Sequence, residues 1–431
     1  MKSEIKGRIA QIRRGVVPSG YRRLGSEIVP SDWTKNVFAK LGVSASKLVD
    51  PKEEPYLHMP YIGAENIERD TGRILPTQTA EELGLVSGKF CFDSESIVYS
   101  RIRPNLNKVC VPTFVGICSS DCSSIKPTPR ILKDYLFHLM QTRVFGQRAL
   151  VRCTGTGMPR INREDLNGVV LCYPPHIEEQ RRIAEILTTQ DKIIALKERR
   201  LAEKRRQKTF LAQRLLTGKT RLPGFDGEWQ RTTLGAVTQK EKEKNTNFQY
   251  SLVLSNSAQH GIVPQSEQFS KEIANEENID RYYIVRNGFF VYNPRISVTA
   301  PCGPIHMNET GNTGVMSPLY TVFSIRSVDK VDVLFLKLYL ESTSWHKYMK
   351  SVANYGARHD RMNVSDDDFF LMPIPLPNLK EQQAIAEVLT CADREIETLQ
   401  RDLELEKRKK KALMQLLLTG VVRVNSRRRS A

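Results

Sequence analysis

The sequence predicts an α+β chain in which two mixed domains alternate with two long helices, and three observations carry that expectation. The segment EQRRIAEILTTQD, beginning at Glu179, returns as EQQAIAEVLTCAD at Glu381, 202 residues further on. The shift persists without a gap to LLTG at 215–218 and 417–420, and from Glu179 to Arg221 it leaves 20 of 43 aligned positions identical. A repeat of that length marks a duplicated architecture. Outside it, short β-rich runs such as FDSESIVYSRI and YYIVRNGFFVYN alternate with turn residues, while YLFHLMQTRVF and VLFLKLYLEST have helical spacing.

Taken in order, the elements divide the chain into five parts. These are a helical or extended lead-in (1–30), a first mixed domain (31–175), a central repeated helix (176–222), a second mixed domain (223–377), and a C-terminal repeated helix with a basic tail (378–431). The domains repeat more loosely than the helices. Trp33 aligns with Trp229, Tyr99 with Tyr292, YLFHLMQT (135–142) with FLKLYLES (335–342), Arg160 with Arg361 and Asn162 with Asn363. The shift drifts from 193 to 202, so loop residues have been gained or lost.

Each repeated helix carries a narrow apolar stripe. Leu187, Ile194, Leu201 and Leu215 recur at heptad spacing, as do Leu389, Ile396, Leu403 and Leu417, with Lys208 and Lys410 interrupting at matched places. Ile183, Ile385, Leu211 and Leu413 extend the stripe towards the helix ends. A 3.5-residue period on an otherwise charged helix is a coiled-coil seam. Packing the two helices against each other is the economical solution; pairing each with a partner subunit is the alternative. Asn378 followed by Glu381 reads as a capping box, with Pro375 and Pro377 keeping the chain extended beforehand. Gly218 and Gly420 stand where a left-handed C-terminal cap belongs.

Composition narrows the function. The 431 residues hold 65 Lys and Arg against 48 acids, a formal charge of +17, which suits a polyanionic partner. No run of about 18 apolar residues reads as a membrane span, and the N-terminus lacks a signal-peptide core, so the cytoplasm is expected. The eight cysteines are scattered with no C-x-x-C, which argues for reduced thiols and against zinc. Enzyme signatures fail on inspection. Gly218-Lys219-Thr220 ends like a phosphate loop but lacks the earlier glycine, and it follows a helix rather than a strand. Tyr173-Pro174-Pro175-His176 lacks the first residue of an amino-methylase motif, and EKEK (241–244) lacks a partner carboxylate for a metal nuclease.

The ordered set of motifs resembles the specificity subunit of type I restriction–modification enzymes. It comprises a Trp lead-in, R-[IM]-N-x-x-D, PP or PLP, EQ-x-x-IAE-[IV]-L-T, a charged helix and LLTG. GYRRLGSEIVPSDW (20–33) and RLPGFDGEW (221–229) are similar to the family's two lead-ins. The resemblance implies two target recognition domains separated by the two helices, which form an antiparallel coiled coil. Each domain would read half of a bipartite, asymmetric duplex DNA site. Two methyltransferase subunits and two motor-nuclease (restriction) subunits would dock on this scaffold. S-adenosylmethionine, ATP and magnesium would belong to those partners, with no cofactor, metal or catalytic residue in this chain. A helix from Glu179 to Thr217 would be about 58 Å long, or about 17 base pairs of duplex.

Positions identical in both copies cannot encode two different half-sites. Arg160, Arg361, Asn162 and Asn363 therefore serve either a closing turn or phosphate contact, and partner docking is expected on the repeated helices and their lead-in segments. Base readers belong where the copies differ. Candidates are Tyr61, Asn66, Arg101, Arg103, Asn105 and Lys108 in the first domain, and Asn256, Gln259, His260, Asn293, Arg295 and Arg358 in the second. Arg and Lys suit guanine; Asn and Gln suit adenine. A coiled-coil scaffold without a DNA role would leave the two divergent domains unexplained, and a standalone regulator lacks a helix-turn-helix or zinc-finger signature.

Overall fold

The structure, a computed structural model, describes residues 2–24, 27–153, 158–268, 276–354 and 360–424. The chain forms two compact units: 1–198 together with 402–431, and 199–401. Both unit boundaries fall inside the long helices, Ile177–Leu215 and Leu379–Leu417, so each unit owns a piece of both.

One sheet plan serves both units. In the first, four antiparallel strands run in the order Gly42–Ser44, Cys122–Pro127, Ile97–Ser100, Val109–Cys110. In the second, the order is Thr238–Lys240, Thr321–Ile325, Phe290–Tyr292, Ile305–Met307. The repeated tyrosines, Tyr99 and Tyr292, sit on the third strand of each and are buried. A two-stranded ribbon brings the start of each domain beside the segment that leads into its helix: Thr34–Val37 pairs with Val170–Tyr173, and Gln230–Thr233 with Pro373–Leu376. The helical spacing read from the sequence becomes helices Lys133–Met140 and Val333–Glu341, whose apolar faces close the cores. Antiparallel sheets with helices gathered apart from them make the fold α+β.

Those cores extend into the long helices. In the first unit, Ile183 and Leu187 pack with Leu417 and Leu418 beneath Tyr135 and Phe145. In the second, Ile385 and Leu389 pack with Leu215 and Leu216 beneath Phe335 and Trp345. The end leucines of the seam are thus core residues as well. Leu201 and Leu403 are buried too, while Ile194 and Ile396 are half-buried.

Within each unit the helix pieces pair antiparallel. Gln190 Nε2 donates to Glu406 Oε2 (2.6 Å) and Lys197 meets Asp402 (3.5 Å), and in the other unit Lys204 meets Glu395 (3.0 Å). The lysines that interrupt the stripe cross to a matched acid. Lys410 reaches Asp191 at 2.6 Å and Lys208 reaches Asp393, so a position that looks wrong for a seam is satisfied by its partner helix.

Candidate nucleic-acid interface

The most repeated residues turn out to fasten each domain to its helices. Glu381 is fully buried and accepts from Arg221 Nε and Nη2 (2.5 and 2.7 Å) and from Trp229 Nε1 (3.2 Å). Its first-unit counterpart, Glu179, accepts from Arg423 Nε and Nη2 (2.7 and 2.8 Å), and the same guanidinium also grips Asp32 at 2.7 and 2.8 Å. Those bonds hold the Asp32 carboxyl below its ordinary pKa. The neighbouring glutamines clamp the domain backbone. Gln180 Oε1 accepts from Leu132 N while Nε2 donates to Arg130 O and Pro174 O; Gln382 does the same with Asp332 N, Lys330 O and Pro377 O.

Two expectations change here. Glu179, Gln180, Glu381 and Gln382 are all buried, so these four repeated side chains hold the domains rather than face a partner. Asn378 does cap its helix through Glu381 N (3.0 Å), but the reciprocal half of the capping box is not made because the Glu381 carboxylate serves Arg221. The first copy is capped through the His176 carbonyl, which accepts from Glu179 N and Gln180 N. The other ends follow the sequence: Gly218 and Gly420 adopt φ of +69° and +72°. A Cβ on Gly420 would lie 2.5 Å from Pro30 and 3.0 Å from Trp33, and one on Gly218 would lie 3.3 Å from Trp229. The repeated Trp thus covers the repeated Gly.

Burial removes three of the proposed base readers. Tyr61 packs in an apolar cluster with Ala80 and Ile117, and burial raises its phenol pKa. Arg101 is 8% exposed and donates to Ser120 O; burial, then the charges of Arg160 and Arg163, lower its pKa. Asn256 is 2% exposed, donating to Val291 O (2.8 Å) and Pro304 O (3.3 Å) and accepting from His306 Nδ1 (2.6 Å). Three more are half-buried and bound to backbone. Asn66 donates to Pro76 O (2.9 Å), Lys108 to Ala64 O (2.6 Å) and Asn293 to Asn256 O (3.0 Å).

Exposed candidates remain in both units. Arg103 and Asn105 stand on a loop after the third strand, beside Arg160, whose guanidinium meets Asp121 at 2.8 Å. In the second unit Arg295 and Arg361 are exposed and neighbours, joined by a backbone bridge. Gln259 and His260 sit at the turn between Leu254–Ser257 and Gly261–Pro264, where His260 lines a cavity of about 410 Å³ with His306, Glu309 and Glu341. Arg358 lies outside the described residues. Asn162 caps the short helix Arg163–Asn167 through Asp165 N (2.7 Å), whereas Asn363 pairs by backbone with Asn354.

All eight cysteines are free, and burial raises the thiol pKa of Cys118 and Cys122. Among the described residues no group of three or more His, Cys, Asp or Glu is placed to hold a metal ion, and no helix is long and apolar enough to cross a membrane.

Two units with one frame and different surface loops, in a strongly basic chain, define a duplicated binding protein. Comparison with known proteins gives the family. Residues 36–204 and 228–407 match the type I restriction modification DNA specificity domain, and the chain belongs to that family: it is a non-catalytic DNA-recognition subunit. It is 32% identical over 191 residues to the type I restriction enzyme EcoDI specificity subunit of Escherichia coli, covering 44% of this chain but only 40% of that subunit. It is 25% identical over 332 residues to the MjaVIII specificity subunit of Methanocaldococcus jannaschii, covering 72% and 75%. Among solved structures, a chain from a type I restriction–modification system described for its complex assembly and conformational transition matches with TM-score 0.59 and 19% identity, over 91% of this chain and 99% of that one. The S subunit from M. genitalium matches with TM-score 0.51 and 12% identity, over 89% and 96%.

Proposed function

We propose that this chain reads a bipartite, asymmetric site in double-stranded DNA, one half-site per unit, and carries two methyltransferase and two motor-nuclease subunits of a type I complex in the cytoplasm. S-adenosylmethionine, ATP and magnesium serve those partners. The observation that carries this reading is the pairing of one sheet plan and one set of fastenings with different exposed side chains: Arg103 and Asn105 in one unit, Gln259, His260 and Arg295 in the other. A protein with two equal frames and unequal surfaces is suited to a target with two unequal halves. The charge of +17 supplies attraction to phosphate. Exposed Leu196, Phe210 and Leu405 on the long helices offer apolar anchors for partner subunits, in place of those four buried side chains.

The test is to co-express the chain with its neighbouring methyltransferase and map adenine methylation across the host genome. A gapped, asymmetric motif that vanishes when this chain is deleted is the expected result. Failure of the two proteins to form a complex would overturn the reading.

A further inference from the structure

The loop that follows the third sheet strand is built on the same foundation in both units. In the first unit, Arg103 N donates to Pro159 O (2.8 Å) and Ile161 N to Arg101 O (3.0 Å), either side of the Ile102–Arg160 bridge. In the second, Ile296 N donates to Asp360 O (3.0 Å) and Met362 N to Pro294 O (2.8 Å), either side of the Arg295–Arg361 bridge. Counted from the equivalent tyrosines, Tyr99 and Tyr292, these bonds fall at the same positions. Each loop is thereby pinned to the repeated Arg segment before it leaves the frame.

Beyond the pins the two loops part company. The first turns through left-handed Arg103 and Asn107 and shows Arg103 and Asn105 to solvent. The second makes a tight turn, Ser297–Ala300. Ser297 N donates to Ala300 O (3.0 Å), and Ala300 N returns bonds to Ser297 O (3.2 Å) and Ser297 Oγ (3.1 Å). Gly303, at φ +75°, packs so close that a Cβ would lie 2.1 Å from Asn293 O, and Tyr292 Oη donates to Cys302 O (3.1 Å). The turn is braced at both ends, and Val298 at its tip is fully exposed.

A single exposed valine is ordinary on a protein surface. This one stands on a hydrogen-bonded turn beside exposed Arg295 and Arg361, at the place where two equal frames carry unequal tips. We propose that the Ser297–Ala300 turn is a sequence-determining element of the second unit, with the Val298 methyls contacting the 5-methyl group of a thymine in the major groove. Thymine is the one base that presents a methyl there, and an apolar side chain is what recognises it. The corresponding tip of the first unit carries Arg103 and Asn105, whose hydrogen-bonding groups suit guanine and adenine. Equal foundations would then deliver different letters to the two halves of the site. This inference rests on the DNA-reading role proposed above.

The test uses the full chain in complex with its methyltransferase and synthetic duplexes in which each thymine of the mapped site is replaced singly by deoxyuridine, which removes only the methyl. The wild-type complex is expected to lose about fivefold in affinity at one position, the low end of what a single mismatched base pair costs. The Val298→Ala complex should be indifferent to the same replacement. Tolerance of uracil at every position, or an equal penalty in wild type and Val298→Ala, would overturn the inference while leaving the DNA-reading role intact. A wild-type complex that yields no gapped motif would instead remove the reading on which it rests.

Discussion

The two units solve one construction problem with different hardware. In the second, Glu381 is shared between Arg221 and the indole of Trp229. In the first, the Trp33 indole N–H is buried without a partner, and Arg423 instead spreads its guanidinium over Glu179 and Asp32. The helix that faces the seam differs too. His138 is buried in the first unit, where the aligned residue of the second is Leu338. The lead-in helix Lys2–Arg13 joins the first unit through Arg8, which donates to Tyr21 Oη and Val421 O (3.2 Å each), while Tyr21 Oη donates to Gly420 O (2.7 Å). What persists through such divergence is the set of bonds to the helix's first turn and the glycine at its far end. What drifts is everything that those bonds merely carry.

The most direct blow to this symmetry is aimed at the clamping glutamines. Gln180→Ala and Gln382→Ala each strip three hydrogen bonds from a fully buried side chain, and each should cost about 3 kcal/mol. Denaturant unfolding should show equal losses. Hydrogen exchange should place the loss in the first unit for one variant and in the second for the other. Unequal losses would mean that the clamps are alike in geometry only.

Acid should then separate the units. Burial, reinforced by the Lys410 charge, pushes the His138 pKa down to about 3, while its Nε2 contacts Thr188 Oγ1 at 3.2 Å. The unfolded chain takes up a proton near pH 6.5 that the folded unit refuses, so this contribution is complete above that pH and is lost as the pH falls towards 3. The full loss is on the order of 5 kcal/mol. His138→Leu, which copies the second unit, should flatten the acid limb of a melting-temperature profile.

A smaller contrast lies at the helix caps. Gly420→Ala should destabilise by about 2 kcal/mol, because it adds a close approach to Pro30 on top of a positive φ. Gly218→Ala has more room against Trp229 and should cost about 1 kcal/mol, as thermal melts of the two variants would record. The mildest change is Asp32→Ala. It leaves Arg423 bound to Glu179 alone, as Arg221 is bound to Glu381, and should cost less than about 1 kcal/mol in denaturant unfolding because Asp32 is half exposed.

The repeat, the two helices and most of the seam were legible because apolar periodicity and internal identity are both written in one dimension. The fastenings were legible in principle. Glu179 and Gln180 precede Ile183 by four and three residues, and Ile183 precedes Leu187 by four, so both polar side chains share the buried face. Identity between copies was read as a sign of docking, whereas at these four positions polar residues on an apolar stripe mark buried hydrogen bonding. The base-reader candidates fared less well for a related reason. Tyr61, Arg101 and Asn256 lie on or next to short strands, where facing the core or the solvent depends on register, and register is set by the partner strand, which for Tyr61 lies some fifty residues away at 116–118. Val298 carried no sequence signal, since an apolar residue in SVTA announces a strand as readily as a turn.

The first unit includes residues 402–424, whose Leu413, Leu417, Leu418, Val422 and Val424 fill its core and whose Arg423 locks its Asp32 and Glu179. The second unit is one unbroken stretch of chain. On the ribosome, where domains ordinarily mature in the order they emerge, the N-terminal unit must wait for residues 402–424, and the C-terminal one can close before it. A chain that stopped short of that segment would therefore damage the part of the protein that was translated first.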